Sequence, residues 1–527
     1  MTAATGLLSW IVLLPLAGSV LLLFFPKDRP GLSRWIALIV STVTFLLSLY
    51  LLTGFRTNAS MQFVEDLAWV ESLGIRYQLG VDGISLFLVV LTALLTPIVI
   101  LSSWTDINKR VRAFHSMMLM LETGMLGAFV ACDLFLFYVF WELMLIPMYV
   151  LIGVWGGPRR IYAAVKFVLY TIVGSLLMLV AILALYFAHH GQTGVYTFNL
   201  LELQTTVLSG AAQWRLFAAF GLAFAIKVPV WPLHTWLPDA HVEAPTAGSV
   251  ILAGVLLKLG TYGFLRFAIP LFPVAAVQFQ PLLVALAVIG IIYGALVAMV
   301  QTDIKKLVAF SSVSHLGYVM LGLFSFNLEA FSGALYQMLN HGLSTGALFL
   351  LVGILYERRH TRMISDYGGI AGTVPLYSAA FLLVTLSSIG LPGLNGFVGE
   401  FLILTGAFGA VRTAAIISTL GVVLSACTML WLTQRFLFGP MRNQENRGLK
   451  DLSLREGIVL APILILIIYM GVQPRPLLDR MTPALEATLI HVHGNAKPSD
   501  SQELPQALRF GVPYVQSPAI AQGEAPR

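Results

Sequence analysis

Runs of about 20 mostly apolar residues, the length that carries a helix across a bilayer, follow one another along nearly the whole chain. They fall at about 4–24, 33–54, 82–104, 113–131, 134–155, 164–187, 213–232, 245–266, 281–300, 304–325, 331–355, 373–406, 413–434 and 457–474. The polar segments between them are short, and none is long enough to be a domain of its own. The pattern predicts an all-α integral membrane bundle of about 14 transmembrane helices. The first run has no Lys or Arg before it, and Lys27 and Arg29 follow it. A secretory signal has the opposite arrangement, so this run is expected to remain as a helix.

Two runs depart from a simple helix. The seventh contains IKVPVWPLHTWLP, with Pro229, Pro232 and Pro238. The twelfth contains SSIGLPGLNGFVGE, with Gly390, Pro392, Gly393, Gly396 and Gly399. Proline removes a helical hydrogen bond and glycine weakens a helix. Interrupted helices at membrane depth are tolerated where they line a cavity or are buried in protein. The two lie five helices apart, an odd number, so they run in opposite directions, as an inverted repeat of five-helix units would place them. This reading divides the chain into three N-terminal helices (1–112), a first five-helix repeat (113–266) broken near 229–238, and a second (281–434) broken near 390–399. A last span and a C-terminal tail (435–527) complete it.

Composition agrees with a membrane class and charge supplies an orientation. Hydrophobic residues make up 58% and charged residues 11%, against about 25% charged in soluble domains. With the N-terminus outside, the inner loops hold Lys27, Arg29 and Arg34, then Lys109, Arg110 and Arg112, then Arg159, Arg160 and Lys166. Further along they hold Lys305, Lys306, Arg358, Arg359 and Arg362, and finally Arg435, Arg442, Arg447, Lys450 and Arg455. Fewer basic residues fall outside, and half of those are in the tail. Positive loops mark the inner face, so both termini are expected outside. The net charge of +6 is therefore a topological signal and not a nucleic-acid footprint. Cys132 and Cys427 form no CxxC pair and give no framework for an iron–sulfur cluster or a zinc site, and no cofactor is expected in this chain.

Against this apolar background, six ionisable residues stand out. Each costs about 2.5–3.5 kcal/mol at mid-membrane on insertion scales. Glu142 sits in FYVFWELMLIPMYVL, Lys227 in FGLAFAIKVPVW directly before the first break, and Lys258 in VILAGVLLKLGTYGF. His315 and His341 lie inside the tenth and eleventh runs, and Glu400 follows the second break. A lone buried histidine is ordinarily a hydrogen-bonded structural residue. A mid-helix Lys or Glu finds no partner in lipid, and six such groups of both signs are poorly explained by structure alone. Glu122, expected partly buried, and Asp133, expected at an interface, are weaker cases.

Spacing adds to the case. In the eleventh run Gln337, Asn340, His341, Ser344 and Thr345 recur at helical offsets and draw one polar stripe. Ser311, His315 and Tyr318 do the same in the tenth. Such stripes line a hydrated path or bond helix to helix; the second role suits the serines better than the histidines. Desolvation favours the neutral form of Lys and Glu alike, so a buried lysine exchanges protons that a surface lysine holds. A nearby carboxylate restores the lysine's charge. A Glu–Lys pair whose coupling changes is thus a minimal pumping element, and Glu142 with Lys227 is the candidate pair.

The stretches FYVFWELMLIPMYVLIGVWG, KVPVWPLHTWLPDAHVEAPTAGSVILAGVLLKLGTYG, QTDIKKLVAFSSVSHLGY, LNHGLSTGALFLLVG and LSSIGLPGLNGFVGEFLIL extend from about residue 115 to 410. They resemble the antiporter-like membrane subunits of respiratory complex I, a family related to Mrp-type sodium/proton antiporter subunits. The largest of the three complex I members has a C-terminal extension with a long lateral helix, for which this sequence has no room. Glu400 and WELMLIPMY resemble the M-type member, whereas the N-type and L-type members have Lys at the position of Glu400. The resemblance implies that Glu142 and Lys227 are a coupled pair and Lys258 the central relay. It also implies that His315 and His341 continue the path and that Glu400 carries protons on the exit side. It further implies a bacterial cytoplasmic membrane, L-type and N-type subunits as neighbours, and proton translocation driven by electron transfer from NADH to quinone in other subunits. No GxGxxG opens a βαβ unit here, in keeping with that division.

Two other readings make different demands. An Mrp-type subunit exchanging sodium for protons would share the fold, and Glu400 argues against it. A b-type cytochrome with His315 and His341 as haem ligands would leave Glu142, Lys227, Lys258 and Glu400 unexplained.

Overall fold

In lipid the backbone of an apolar run has no partner but itself, and every expected run is helical in the computed structural model, which describes residues 6–441 and 443–496. The N-terminal helices are α1 (Leu7–Phe24), α2 (Pro30–Gly54) and α3 (Leu86–Ser102), followed by α4 (Val111–Val130). The fifth run is two helices, α5 (Leu134–Leu143) and α6 (Leu145–Trp155), parted at Met144 just after Glu142. Pro147 accounts for this unforeseen interruption, since it has no N–H for the carbonyl of Leu143 and its ring presses on that turn.

After α7 (Arg160–Thr193) and the short α8 (Leu200–Leu203), the first expected break appears between α9 (Gly210–Lys227) and α10 (Trp236–Glu243). The eighth run is α11 (Thr246–Ile251), α12 (Leu257–Gly263) and α13 (Ile269–Leu271), joined by π turns at Leu252–Leu256 and Phe264–Ala268. Then come α14 (Pro273–Met299), α15 (Ile304–Leu323) and α16 (Leu328–Arg359). The second expected break separates α17 (Pro375–Ser388) from α18 (Asn395–Ala410), and Gly390 (φ 75°) and Gly393 (φ 91°) turn the chain there through left-handed backbone. The chain continues as α19 (Arg412–Phe436), α20 (Leu454–Val472) and α21 (Arg475–Asn495).

Among the described residues, 11 helices are long and apolar enough to cross a membrane. The expected runs outside that set are α3, with 17 residues, and the two broken helices. Two features correct the all-α expectation with a plain tail. Residues Gln62–Val70 (β1) and Ile75–Val81 (β2) form an antiparallel hairpin in the connection before α3. Two register shifts blur its alternation, so the sequence shows no clean strand pattern. Helix α21 follows the last span, burying Leu477, Met481, Ala484, Leu485, Leu489 and Val492 along one face. Its other face is too polar for a membrane run, so a search for spans passes over it. Arg442 and the tail beyond Ala496 lie outside the described residues.

Helix α16 is the centre of the bundle. Its apolar window is wholly buried, and it packs against α3, α11, α15, α17, α18, α20 and α21. The outer helices α2, α7, α19 and α20 present Leu46, Leu169, Leu420 and Ile465 outward, as lipid-facing residues should be. The polar stripe of α16 is therefore enclosed by protein on every side.

Candidate functional site

The π turn before Lys258 widens the helix and frees a carbonyl within the core. Lys258, 0% exposed on α12, donates its Nζ to the carbonyl of Ala253 in that turn. The same Nζ lies 2.6 Å from Nδ1 of His341 on α16. The ring of His341 is 6.0 Å, centroid to centroid, from that of His315 on α15. His315 Nδ1 in turn lies 2.8 Å from Oε1 of Glu400 on α18. Four of the six candidate residues thus form one buried row across four helices.

The stripe on α16 divides into two tasks. His341 belongs to the row. Gln337 donates Nε2 to Glu400 Oε1 at 3.0 Å, and its own Oε1 accepts from Asn340 Nδ2 at 3.0 Å. Asn340 Nδ2 also donates to the carbonyl of Asn395, the first residue of α18, at 2.7 Å. Ser344 and Ser387 share a 2.7 Å hydrogen bond, and Ser387 donates to Asn395 Oδ1 at 2.5 Å. These side chains satisfy the backbone left open by the second break and fix where Glu400 begins its half-helix. A cavity of about 10 Å³ touches His315, Asn340 and His341, which is room for about one water. On α15 the expected stripe does not hold as a unit. Tyr318 donates to the carbonyl of Ser418 at 2.7 Å and Ser311 to that of Val308 at 2.8 Å, so both act as helix-bonding groups.

Glu142 and Lys227 stand apart from the row, and no direct contact joins them among the described residues. Lys227, the last residue of α9 and 2% exposed, places Nζ 5.3 Å from the ring centroid of Trp141 and 5.4 Å from that of Phe167. Aromatic faces attract a cation in this way. Glu142 is only half-buried on the last turn of α5, yet its charge reaches Lys227. The adjacent helices bring this site towards the row: a Cβ on Gly260, two residues from Lys258, would fall 2.7 Å from the backbone N of Val228, next to Lys227.

Several buried charges were overlooked or misjudged in the sequence. Arg266, at the end of the eighth run, pairs with Asp82, which also accepts from the N–H groups of Ile84 and Ser85. The Arg inside GFLRFAIP was the available signal. Glu122 is fully buried, not partly, beside Thr96. Asp133 is buried as the N-cap of α5, accepting from Leu136 N at 2.9 Å and Arg76 N at 3.1 Å. Burial pushes its carboxyl up to about 6 despite those bonds. His241 and Lys305 are also buried.

This architecture has relatives in sequence and in structure. The family described as NADH:quinone oxidoreductase/Mrp antiporter, TM matches residues 131–428. NADH-quinone oxidoreductase subunit M of Rhodobacter capsulatus is 47% identical over 503 residues, covering 93% of this chain and 98% of its own. NADH-ubiquinone oxidoreductase chain 4 of Marchantia polymorpha is 45% identical, covering 92% and 97%. A chain of respiratory complex I from Thermus thermophilus superposes with a TM-score of 0.84 at 36% identity, covering 92% of this chain and 99% of its own. A chain of the Mrp complex from Dietzia sp. shares the fold, with a TM-score of 0.81 at 20% identity and coverage of 94% and 99%. Match and coverage together show that this multi-pass membrane chain belongs to the NADH:quinone oxidoreductase/Mrp antiporter family, among the antiporter-like M-type subunits.

Proposed function

We propose that this chain is the M-type proton-translocating subunit of an NADH:quinone oxidoreductase, and that Lys258, His341, His315 and Glu400 are its proton path. The observation that carries the reading is the buried row itself. A lysine, two histidines and a carboxylate succeed one another within hydrogen-bond or single-water reach, at membrane depth, where ionisable groups are costly unless used. Glu142 and Lys227 form the charge switch beside it: a change at Glu142 alters the field on Lys227, and through the contact of Val228 with Gly260 the arrangement at Lys258. Redox chemistry is assigned to other subunits, and L-type and N-type subunits to the flanks. No cofactor is assigned to this chain.

The same reading includes fourteen spans, two of them broken, in an inverted repeat. Asp133 caps the fifth span and bridges to Asn199, in the connection after the sixth. Asp303 caps the tenth and bridges to Met363, in the connection after the eleventh. Each pair occupies the same place in its five-helix unit, which supports the repeat. The basic loops put both termini on the outer face; impermeant labelling of a cysteine at Ser453 from the inner face only, and at Ser60 from the outer face only, is the expected pattern. The proton path is tested by Lys258→Met and His341→Phe in the assembled complex in inverted vesicles. NADH-driven proton uptake should be lost in both, and normal uptake in either would overturn the row.

A further inference from the structure

A polar string leaves the row along the eighth span, towards the face opposite the basic loops. Lys258 and Tyr262 stand one turn apart on α12, and Arg266 follows in the π turn Phe264–Ala268. Beyond Arg266 lies its partner Asp82, in the connection between the β hairpin and α3. Tyr262, Arg266 and Asp82 are all buried, and none of them belongs to the row. Such a string, beginning at the lysine of the row, is either a second way out for protons or a stopper.

The hydrogen bonds decide between the two. Helix α4 ends at Val130, and the carbonyls of its last turn have no partner within the helix. The Tyr262 hydroxyl donates to one of them, that of Phe129, at 3.0 Å, and accepts from Arg266 Nε at 3.3 Å. A terminal nitrogen of Arg266 donates to Asp82 Oδ1, which also takes the N–H groups of Ile84 and Ser85. A guanidinium has five donors and no acceptor and keeps its charge at any ordinary pH. It cannot take a proton on one side and give one on the other, so the string runs from donor to acceptor into a backbone carbonyl and ends there. Rings close the space around it. Phe129 meets Tyr262 edge-on at 5.1 Å, Phe267 lies 5.9 Å from Tyr262, and Phe137 lies 4.2 Å from Phe267. Lys258 itself is turned away, with its amine on the carbonyl of Ala253 and on His341. Helix α21 covers the far end: a Cβ on Gly83 would run into the backbone of Arg480, and His491 Nε2 lies 2.9 Å from the carbonyl oxygen of Pro270.

We propose that Tyr262, Arg266 and Asp82 form a proton-tight plug at the end of the eighth span, with Arg266 as its barrier. The cation faces Tyr262 and the row, and its anionic partner faces away. A proton on Lys258 therefore meets a fixed positive charge in that direction and an acceptor, His341, in the other. An arginine in a pore excludes protons by the same electrostatic means. A buried ion pair is weak evidence for stability, since well-packed apolar residues would hold the end of the span as well; a barrier function gives the charges a use.

The proposal rests on the proton path above, and two measurements on the whole complex in liposomes separate them: NADH-driven proton uptake, and passive proton leak down an imposed pH gradient without NADH. Arg266→Gln/Asp82→Asn removes both charges and puts an amide, which donates and accepts, where the guanidinium was. It should leak several times faster than wild type. Arg266→His, which can also take and give a proton, should leak as well, whereas Arg266→Lys, still a cation with donors alone, should stay tight. Lys258→Met added to the double variant should close the leak. A tight Arg266→Gln/Asp82→Asn, an equal leak in Arg266→Lys, or a leak that survives Lys258→Met would each overturn the plug. If the double variant does not assemble on native gels, Arg266→His decides alone: a tight membrane there overturns the proposal. The row has its own readout. Normal uptake in Lys258→Met alone would remove the row whatever the leak shows, while lost uptake there together with a tight double variant removes the plug and leaves the row.

Discussion

His315 and Glu400, 85 positions apart, meet at 2.8 Å between Nδ1 and Oε1, and the meeting depends on a broken helix. Glu400 lies in the second turn of α18, whose first residue, Asn395, is anchored by Asn340 and Ser387. The break is therefore the device that sets the height of a carboxylate opposite a histidine.

This dependence makes Gly399 a sensitive position. A Cβ there would come 2.4 Å from Gln337 Oε1 and 2.8 Å from Asn340 Nδ2, the two side chains that position Glu400 and its half-helix. Gly399→Ala should lower proton uptake by about tenfold, a shift of roughly 1.4 kcal/mol, although alanine favours a helix. Gly409, on the same helix with nothing within 4 Å of its Cβ position, is the control. Equal uptake in Gly399→Ala and Gly409→Ala would show that the anchoring network is not needed.

The aromatic setting of Lys227 leads to a second expectation. With no carboxylate in contact, Trp141 and Phe167 help to hold the ammonium in place, so Trp141→Leu should weaken pumping partially. Glu142→Gln and Lys227→Ala should abolish it, with the complex assembled. Normal pumping in inverted vesicles by either of those two would make the site structural.

The burial of Lys227, Lys258, His315, His341 and Glu400 was legible in the sequence because an ionisable letter inside an apolar run is conspicuous whatever surrounds it, whereas Glu142 is only half-buried. Both helix breaks were legible for the same reason, since Pro229, Pro232, Gly390 and Gly393 act through their own backbone. Contact was not legible. The opposite signs of Glu142 and Lys227 point to coupling, and sequence carries no measure of the distance between them or of the place that Trp141 takes beside the ammonium. The π turns around Lys258 have no sequence signature, and His241 was lost in a polar connection after the break. The β hairpin and α21 are amphipathic elements at the bundle ends, where the twenty-residue criterion says nothing.

A third prediction concerns stability. Arg266 and Asp82 form a buried pair at the start of α3 and the end of the eighth span. Breaking such a pair from one side typically destabilises by about 3–5 kcal/mol. Arg266→Met alone should thus lower the melting temperature of the solubilised complex markedly. Asp82→Asn added to it should recover most of the loss, because an amide oxygen keeps the bonds from Ile84 and Ser85 while the stranded charge disappears. A double variant no more stable than Arg266→Met would show that the charge is not the cause.

Glu400 offers the most direct test of what the row requires. Its Oε1 accepts from Gln337 and faces His315, and at 5% exposure it has no bulk water to exchange with. Alanine removes the carboxylate that takes up and releases a proton, and leaves His315 Nδ1 and Gln337 Nε2 without their acceptor. Glu400→Ala should therefore be severely defective in proton uptake by reconstituted liposomes. Lysine also carries a proton, in the opposite charge sense. Gln337 can turn its carbonyl towards an ammonium, and a neutral His315 can accept from it, so the network closes again with its polarity reversed. The longer side chain is harder to seat beside Gly399 and its contacts, and full activity is not expected. Glu400→Lys should keep part of the uptake, ranking between wild type and Glu400→Ala. Full uptake by Glu400→Ala would remove this residue from the path, and equal loss in both variants would mean that the negative charge itself, rather than the capacity to hold a proton, is what the site needs.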